Sequence, residues 1–169
     1  MDALVIILRL LHLISGGFWV GGTLVTAFFL LPTVKATGPV GGQFAGALIQ
    51  RTRLPDWLTA AGIISVASGI WLYGDIYSGV AWDGLNTAVM FGIGGIIALV
   101  VLALGLAIAR PTAAKMGALG KTIAGQGTPP TPAQAAERGA LLDRLTSIAA
   151  LNAVLLVLTI ACMAVARYV

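Results

Sequence analysis

Apolar residues in this chain come in four long runs, roughly 3–31, 56–74, 85–109 and 145–166, set apart by shorter polar connections. Each run has about the 20 residues that a helix needs to cross the hydrocarbon core of a bilayer. None alternates with the period of two that a barrel strand shows. Inside lipid, backbone N–H and C=O groups must be satisfied within a helix or around a closed barrel. The runs therefore predict four transmembrane helices. A length of 169 residues predicts one all-α domain, 1–169, folded as an integral membrane four-helix bundle.

The polar punctuation refines these limits. Pro32 marks the expected end of the first span. Gly38-Pro39 and Gly41-Gly42 follow as a turn region. Phe44, Ala47, Leu48 and Arg51 then recur at helical spacing and predict a short amphipathic helix on the membrane surface. Pro55 and Asp56 suit the first turn of the second span, and Trp71 and Tyr73 suit its far interface. Asp83 is the expected N-cap of the third span. Pro111 is expected to kink or end that span, because its ring clashes with the carbonyl four residues back. Beyond it, Met116, Leu119 and Ile123 keep a helical period until Gly125-Gln126-Gly127-Thr128-Pro129-Pro130 breaks it. Thr131-Pro132-Ala133-Gln134 reads as a capping box with proline at the first helical position. The last helix then starts near 132 and runs about 50 Å at 1.5 Å per residue, with Leu141, Leu142, Leu145 and Ile148 as its apolar stripe. The third and fourth helices thus form a hairpin that extends beyond the membrane.

Charge sets the expected orientation. Lys35, Arg51 and Arg53 lie between the first two spans; Arg110, Lys115, Lys121, Arg138 and Arg144 lie around the connection of the last two. The middle connection carries Asp75 and Asp83 instead. The positive-inside rule puts the two basic connections, and the hairpin extension, in the cytoplasm, with both chain ends outside. A net charge of +4 reads as topology and contact with anionic lipid. Nucleic acid is not an expected partner, since no basic surface with aromatic or helical readers is present. The first span lacks a basic start and a small-x-small cleavage site, so it is expected to stay as a helix. Cys162 is the single cysteine, which rules out an intrachain disulfide.

Few residues carry chemistry. His12 is the lone histidine and lies within the first span, where an imidazole is costly and so tends to have a task. His12, Ser15, Gly16 and Trp19 share one helical face. A flat cofactor or a partner helix can lie over Gly16 beneath His12. The plainer alternative is a hydrogen bond from His12 to a neighbouring helix carbonyl. His12, Met90, Cys162 and Met163 lie near the same ends of their helices, and imidazole, thioether and thiol donors together suit Cu(I). Either methionine also suits a second axial position on a b-type haem, and both are ordinary gap-fillers in apolar packing. Gly17 and Gly21, Ser65 and Gly69, and Gly92 with Gly94 and Gly95 give three helices small-residue faces for close helix packing. Asn86 and Asn152 are expected near span ends, paired with backbone. Hydrolysis and phosphoryl transfer find no paired intramembrane carboxylates, nucleophile–base pair or phosphate loop.

The stretch Leu10-Leu11-His12-Leu13-Ile14-Ser15 through Trp19-Val20-Gly21-Gly22 resembles the first helix of the copper-resistance protein D (CopD)-like membrane proteins and of the HemJ-type protoporphyrinogen oxidases. Ser68-Gly69-Ile70-Trp71-Leu72 is similar to the end of their second helix. Met163-Ala164-Val165-Ala166-Arg167-Tyr168 is similar to the end of small bacterial members of unknown function. The resemblance implies a four-helix fold in a bacterial inner membrane and, through His12, haem or copper. The third-helix lysine that the HemJ-type enzymes use has no counterpart between Leu85 and Ala109. The leading expectation is therefore a non-catalytic membrane protein, self-associating or an accessory subunit for other membrane subunits. The alternative is a b-haem- or copper-binding protein that uses His12. A transporter ranks behind both, with no charge at mid-membrane and no broken helix to offer a site.

Overall fold

The computed structural model describes residues 3–77 and 85–169, and Asp83 lies outside them. The described residues are almost entirely helical and contain no strand. There are five helices: α1 (Ala3–Ala36), α2 (Gly38–Gln50), α3 (Leu54–Tyr77), α4 (Leu85–Leu104 continuing through Gly105–Ala109 into Arg110–Gly125) and α5 (Pro132–Tyr168). All but α2 are long and apolar enough to cross a membrane. They form a ring in which α1 packs on α3, α3 on α4, α4 on α5 and α5 back on α1.

The outside of the ring is more apolar than the inside. Leu13, Ile14 and Phe29 are 69%, 70% and 67% exposed. That is far beyond the patches a water-facing surface tolerates. The interior is built from small residues, with Ala27, Ala61, Ser65, Ala98 and Ala153 buried along the seams. Close packing of small residues is how helices associate where the surroundings are as apolar as the helices themselves. Trp19, Val20, Val101 and Leu156 fill the middle layer.

The helices run longer than the apolar runs foretell. Neither Pro32 nor Pro111 ends its helix. Each sits two residues after a π turn, Thr26–Leu30 before Pro32 and Gly105–Ala109 before Pro111. The residue just before each proline bonds five positions back, Leu31 N–H to Thr26 O and Arg110 N–H to Gly105 O. A proline in a regular α-helix clashes with the carbonyl four residues back. The wider π turn reshapes the backbone at that point and lets the helix continue.

The extension of α4 and α5 is present, opened by the foreseen capping box: Gln134 N–H donates to Thr131 Oγ1 and Thr131 N–H to Gln134 Oε1. It does not project freely. The end of α1 and all of α2 pack against it around Val34, Ala45, Ala113, Met116 and Leu145. Phe44 and Ala47 face outward, while Gly41 and Ala45 are buried. A side chain on Gly41 would collide with the Val34 carbonyl, so only glycine allows this corner. Arg138 donates to Gly38 O at 3.0 Å and Gln50 Nε2 to Gly117 O at 3.1 Å, which latch α2 to α5 and α4. Lys35 and Asp143 add a 2.7 Å ion pair with both side chains mostly exposed, worth at most about 1 kcal/mol.

The seams give a direct contrast between glycines. A methyl group on Gly62 would lie 2.9 Å from Trp19 Cε2, whereas one on Gly17 meets nothing within 4 Å. Gly62→Ala is expected to cost about 1–3 kcal/mol through overpacking, and Gly17→Ala to be neutral or slightly stabilising through helix propensity. Thermal unfolding of the two variants in detergent checks this; equal losses would contradict the packing described.

Candidate functional sites

The face of α1 that carries His12, Gly16 and Trp19 is covered by a helix. It meets α3 in an antiparallel register that sets a large or polar group on a small one at each step. His12 lies on Gly69, whose added methyl would come 2.9 Å from His12 Cε1. Gly16 receives Ser65, and Trp19 lies over Gly62. One turn further along, Leu58 fills the space over Gly22. Of the two occupants the sequence allows above Gly16, a flat cofactor or a helix, the fold supplies the helix.

His12 is half-buried and its Nδ1 lies 2.8 Å from Ser65 O. A carbonyl only accepts, so Nδ1 carries the proton and donates. In the neutral ring Nε2 is then the lone-pair nitrogen, and it makes no hydrogen bond to any described residue. Ser68 Oγ donates to the same carbonyl at 3.1 Å and to Ile64 O at 2.6 Å. Several other hydroxyls behave alike: Thr26, Thr59, Thr112 and Thr159 each donate to the carbonyl four residues back on their own helix. This back-bonding satisfies a hydroxyl without a second helix.

The sulfur donors lie elsewhere. Cys162 and Met163 of α5 close on Gly94 of α4, where an added methyl would meet Met163 Cγ at 3.2 Å and Cys162 Cβ at 3.4 Å. Met90 is half-buried on α4. No described contact joins these three to His12, and no group of three or more His, Cys, Asp or Glu side chains gathers among the described residues. Gly92 packs against Tyr73, whose hydroxyl donates to Ala88 O at 3.2 Å. Tyr73, Tyr77 and Phe91 form a short aromatic ladder at this end of the bundle, with ring centroids 5.1 and 6.3 Å apart. The expected packing role of Ser65, Gly69 and Gly92 thus has visible partners. Gly17 and Gly21 have none among the described residues; Gly16 and Gly22 take that role, because the α1–α3 seam runs along their side of the helix.

A second feature escapes the sequence reading. Beyond Trp19, toward the end that carries the basic corners, the bundle encloses a cavity of about 150 Å³. Trp19, Thr23, Val101 and Asn152 line its deep end, and Gly105 and Arg110 its flank. Asn152 is not paired near a span end. It is 6% exposed in the bundle interior, and its Oδ1 has no hydrogen-bond partner. The signal was available: Leu145, Ile148, Asn152, Leu156 and Thr159 recur at spacings of three and four and are all buried, so Asn152 falls on the inward stripe of α5. At the flank Arg110 Nη2 reaches Asp56 Oδ1 at 3.2 Å and Arg53 Nε reaches Asp56 Oδ2 at 3.1 Å.

Comparison with protein-family models, with curated proteins and with solved structures finds no match for this chain.

The hydrogen bond from His12 predicts a modest structural effect. His12→Ala removes the donor to Ser65 O and opens space over Gly69. It is expected to lower stability by about 0.5–2 kcal/mol while helix content stays unchanged. Thermal denaturation followed by circular dichroism in detergent measures both, and an unchanged midpoint would show that the bond contributes nothing net.

Proposed function

We propose that this chain is a non-catalytic multi-pass membrane protein that works by association, as a homo-oligomer or as an accessory subunit of a larger membrane assembly. One observation carries the reading: Gly17 and Gly21 lie one turn apart on the outer face of α1 with no neighbour from the chain itself. Ile14, Phe18 and Val25 around them are exposed. Two glycines four apart on an outward face let a second helix approach to backbone contact. The uses already found for intramembrane polar groups agree with this reading. His12 bonds a neighbouring helix, and most of the hydroxyls bond their own.

The orientation we assign follows charge. Lys35, Arg51, Arg53, Arg110, Lys115, Lys121, Arg138 and Arg144 all lie at the end where α2 packs on the α4–α5 extension. We assign that end to the cytoplasm of a bacterial inner membrane, facing anionic headgroups, and both chain ends to the outside.

Gly21→Leu tests the association. It is expected to weaken self-association or partner capture at least tenfold and to leave the thermal midpoint of the monomer unchanged, as read by light scattering and unfolding in detergent. An unchanged oligomeric state would remove the support for this face. Orientation is tested separately: Gly127→Cys, between α4 and α5, is expected to resist an impermeant thiol reagent in intact cells, and rapid labelling from outside would reverse the assignment.

A second reading, b-type haem or copper at His12, has one observation in its favour. A ligating histidine commonly donates its other ring N–H to a carbonyl, and His12 does so. The remaining donors do not fit one intrachain site, since Met90, Cys162 and Met163 share no described contact with it. A visible spectrum and metal analysis of the purified protein decide: a Soret band or stoichiometric copper lost in His12→Ala would favour this reading over the first.

A further inference from the structure

We propose that the cavity beside Asn152 is a binding site for a membrane-soluble phenol: one aromatic ring with one hydroxyl, otherwise hydrocarbon.

The cavity wall holds an unmet polar group. Asn152 is 6% exposed, lines the cavity, and its Oδ1 is the buried side-chain atom without a partner among the described residues. A buried amide left without hydrogen bonds is expensive, and nearby hydroxyls do not relieve it. Thr26 Oγ1 is committed to Gly22 O and Thr59 Oγ1 to Pro55 O, and Thr23 Oγ1, which also lines the cavity, makes no hydrogen bond to Asn152 or to any other described residue. A bare acyl chain in the cavity would leave the carboxamide as it is. A hydroxyl would not, because it donates to Oδ1 or accepts from Nδ2–H, whichever end of the carboxamide faces it.

Size and lining narrow the class. A cavity of about 150 Å³ matches a single benzene-sized ring. Its walls are mostly apolar and include Trp19, and an indole is a good packing partner for another ring. No ionised carboxylate lies in the cavity to demand a cation. Its one cation, Arg110, is at the flank and already paired with Asp56. A neutral ligand follows. The site is also open to lipid-borne molecules. Leu106 and Arg110 are its exposed lining residues, so the cavity reaches the surface beside the π turn of α4. Gly105 lies in that turn, lines the cavity, and a methyl group added to it would meet nothing within 4 Å. The π turn and its glycine thus leave that part of the wall without a side chain.

The test uses the full-length protein in detergent and two probes compared at equal mole fraction in the micelle, 4-ethylphenol and ethylbenzene. Binding is read from the Asn152 side-chain amide resonances and from the thermal midpoint. 4-Ethylphenol is expected to shift those resonances saturably and to bind at least tenfold tighter than ethylbenzene. Asn152→Leu is expected to abolish that preference while the free protein keeps or raises its midpoint. Gly105→Leu, which leaves the carboxamide intact, is expected to weaken both probes at least tenfold, and it serves as the decisive variant if Asn152→Leu does not fold. Equal binding of the two probes by the wild type would overturn the proposal. So would an undiminished preference in Asn152→Leu, or full binding in Gly105→Leu. Absence of saturable binding, with only an ordered water at Asn152, would overturn it as well.

Discussion

The antiparallel contact between α1 and α3 is the constraint on which most of this structure depends. Lipid offers a helix as good an apolar environment as another helix does, so hydrophobicity alone cannot hold the two together. Shape has to. The contact supplies it by setting His12 on Gly69, Ser65 on Gly16, Trp19 on Gly62 and Leu58 on Gly22. Each large group needs the missing side chain opposite, so the register is fixed at several steps and a slip would bring bulk against bulk. Other features follow from that register. It turns the His12 ring toward the Ser65 carbonyl. It turns Gly17 and Gly21 out of the bundle. It also sets Trp19 at the point where the tight seam gives way to the cavity.

At the basic end a different principle operates. There α1 and α4 each pass through a π turn and then a proline, at the same spacing in both. Residues of both turns line the same cavity. A π turn inserts one extra residue and displaces the helix face that follows it, so the two helices change the faces they present beyond this level. The segments after the turns, Leu31–Ala36 and Arg110–Gly125, are the ones that clasp α2. The cavity lies at the join between two packing arrangements, the apolar four-helix ring and the capped end. A void at such a join has a structural origin, and its polar lining is a separate fact.

Much of the fold was legible in the sequence, and the reason is solvent. Four apolar runs of spanning length admit few structures once water is absent. The capping box at Thr131–Gln134 was legible because its chemistry is local. What the sequence hid was which way residues face. In a water-soluble helix the polar face marks the outside. Here nearly every face is apolar, so periodicity says little, and four glycines within seven residues (Gly16, Gly17, Gly21 and Gly22) leave the seam undetermined by one position. Pro32 does not end its helix as its ring chemistry suggests, because the π turn before it, like the one before Pro111, leaves no residue signature of its own. For the candidate residues, spacing correctly joined His12, Gly16 and Trp19 on one face. It could not tell that a helix would cover that face, nor that Cys162 and Met163 would turn to Gly94.

The handling of polar groups separates Asn152 from the rest. A hydroxyl in a membrane helix can be satisfied at home, by the carbonyl four residues back, and Thr26, Thr59, Ser68, Thr112 and Thr159 all do this. An imidazole cannot, and His12 takes the carbonyl of Ser65 on the adjacent helix. A carboxamide is harder still, because it brings two donors and an acceptor to one place. Asn152 sits where a leucine would continue the stripe of Leu145, Ile148 and Leu156, and it receives no matching group from α1, α3 or α4. Packing does not require it, since an apolar residue of similar volume fills the same space without the desolvation cost. Its position on the wall of a cavity that opens toward the membrane beside Gly105 gives that cost an outlet: the missing partner is one that can arrive from the bilayer.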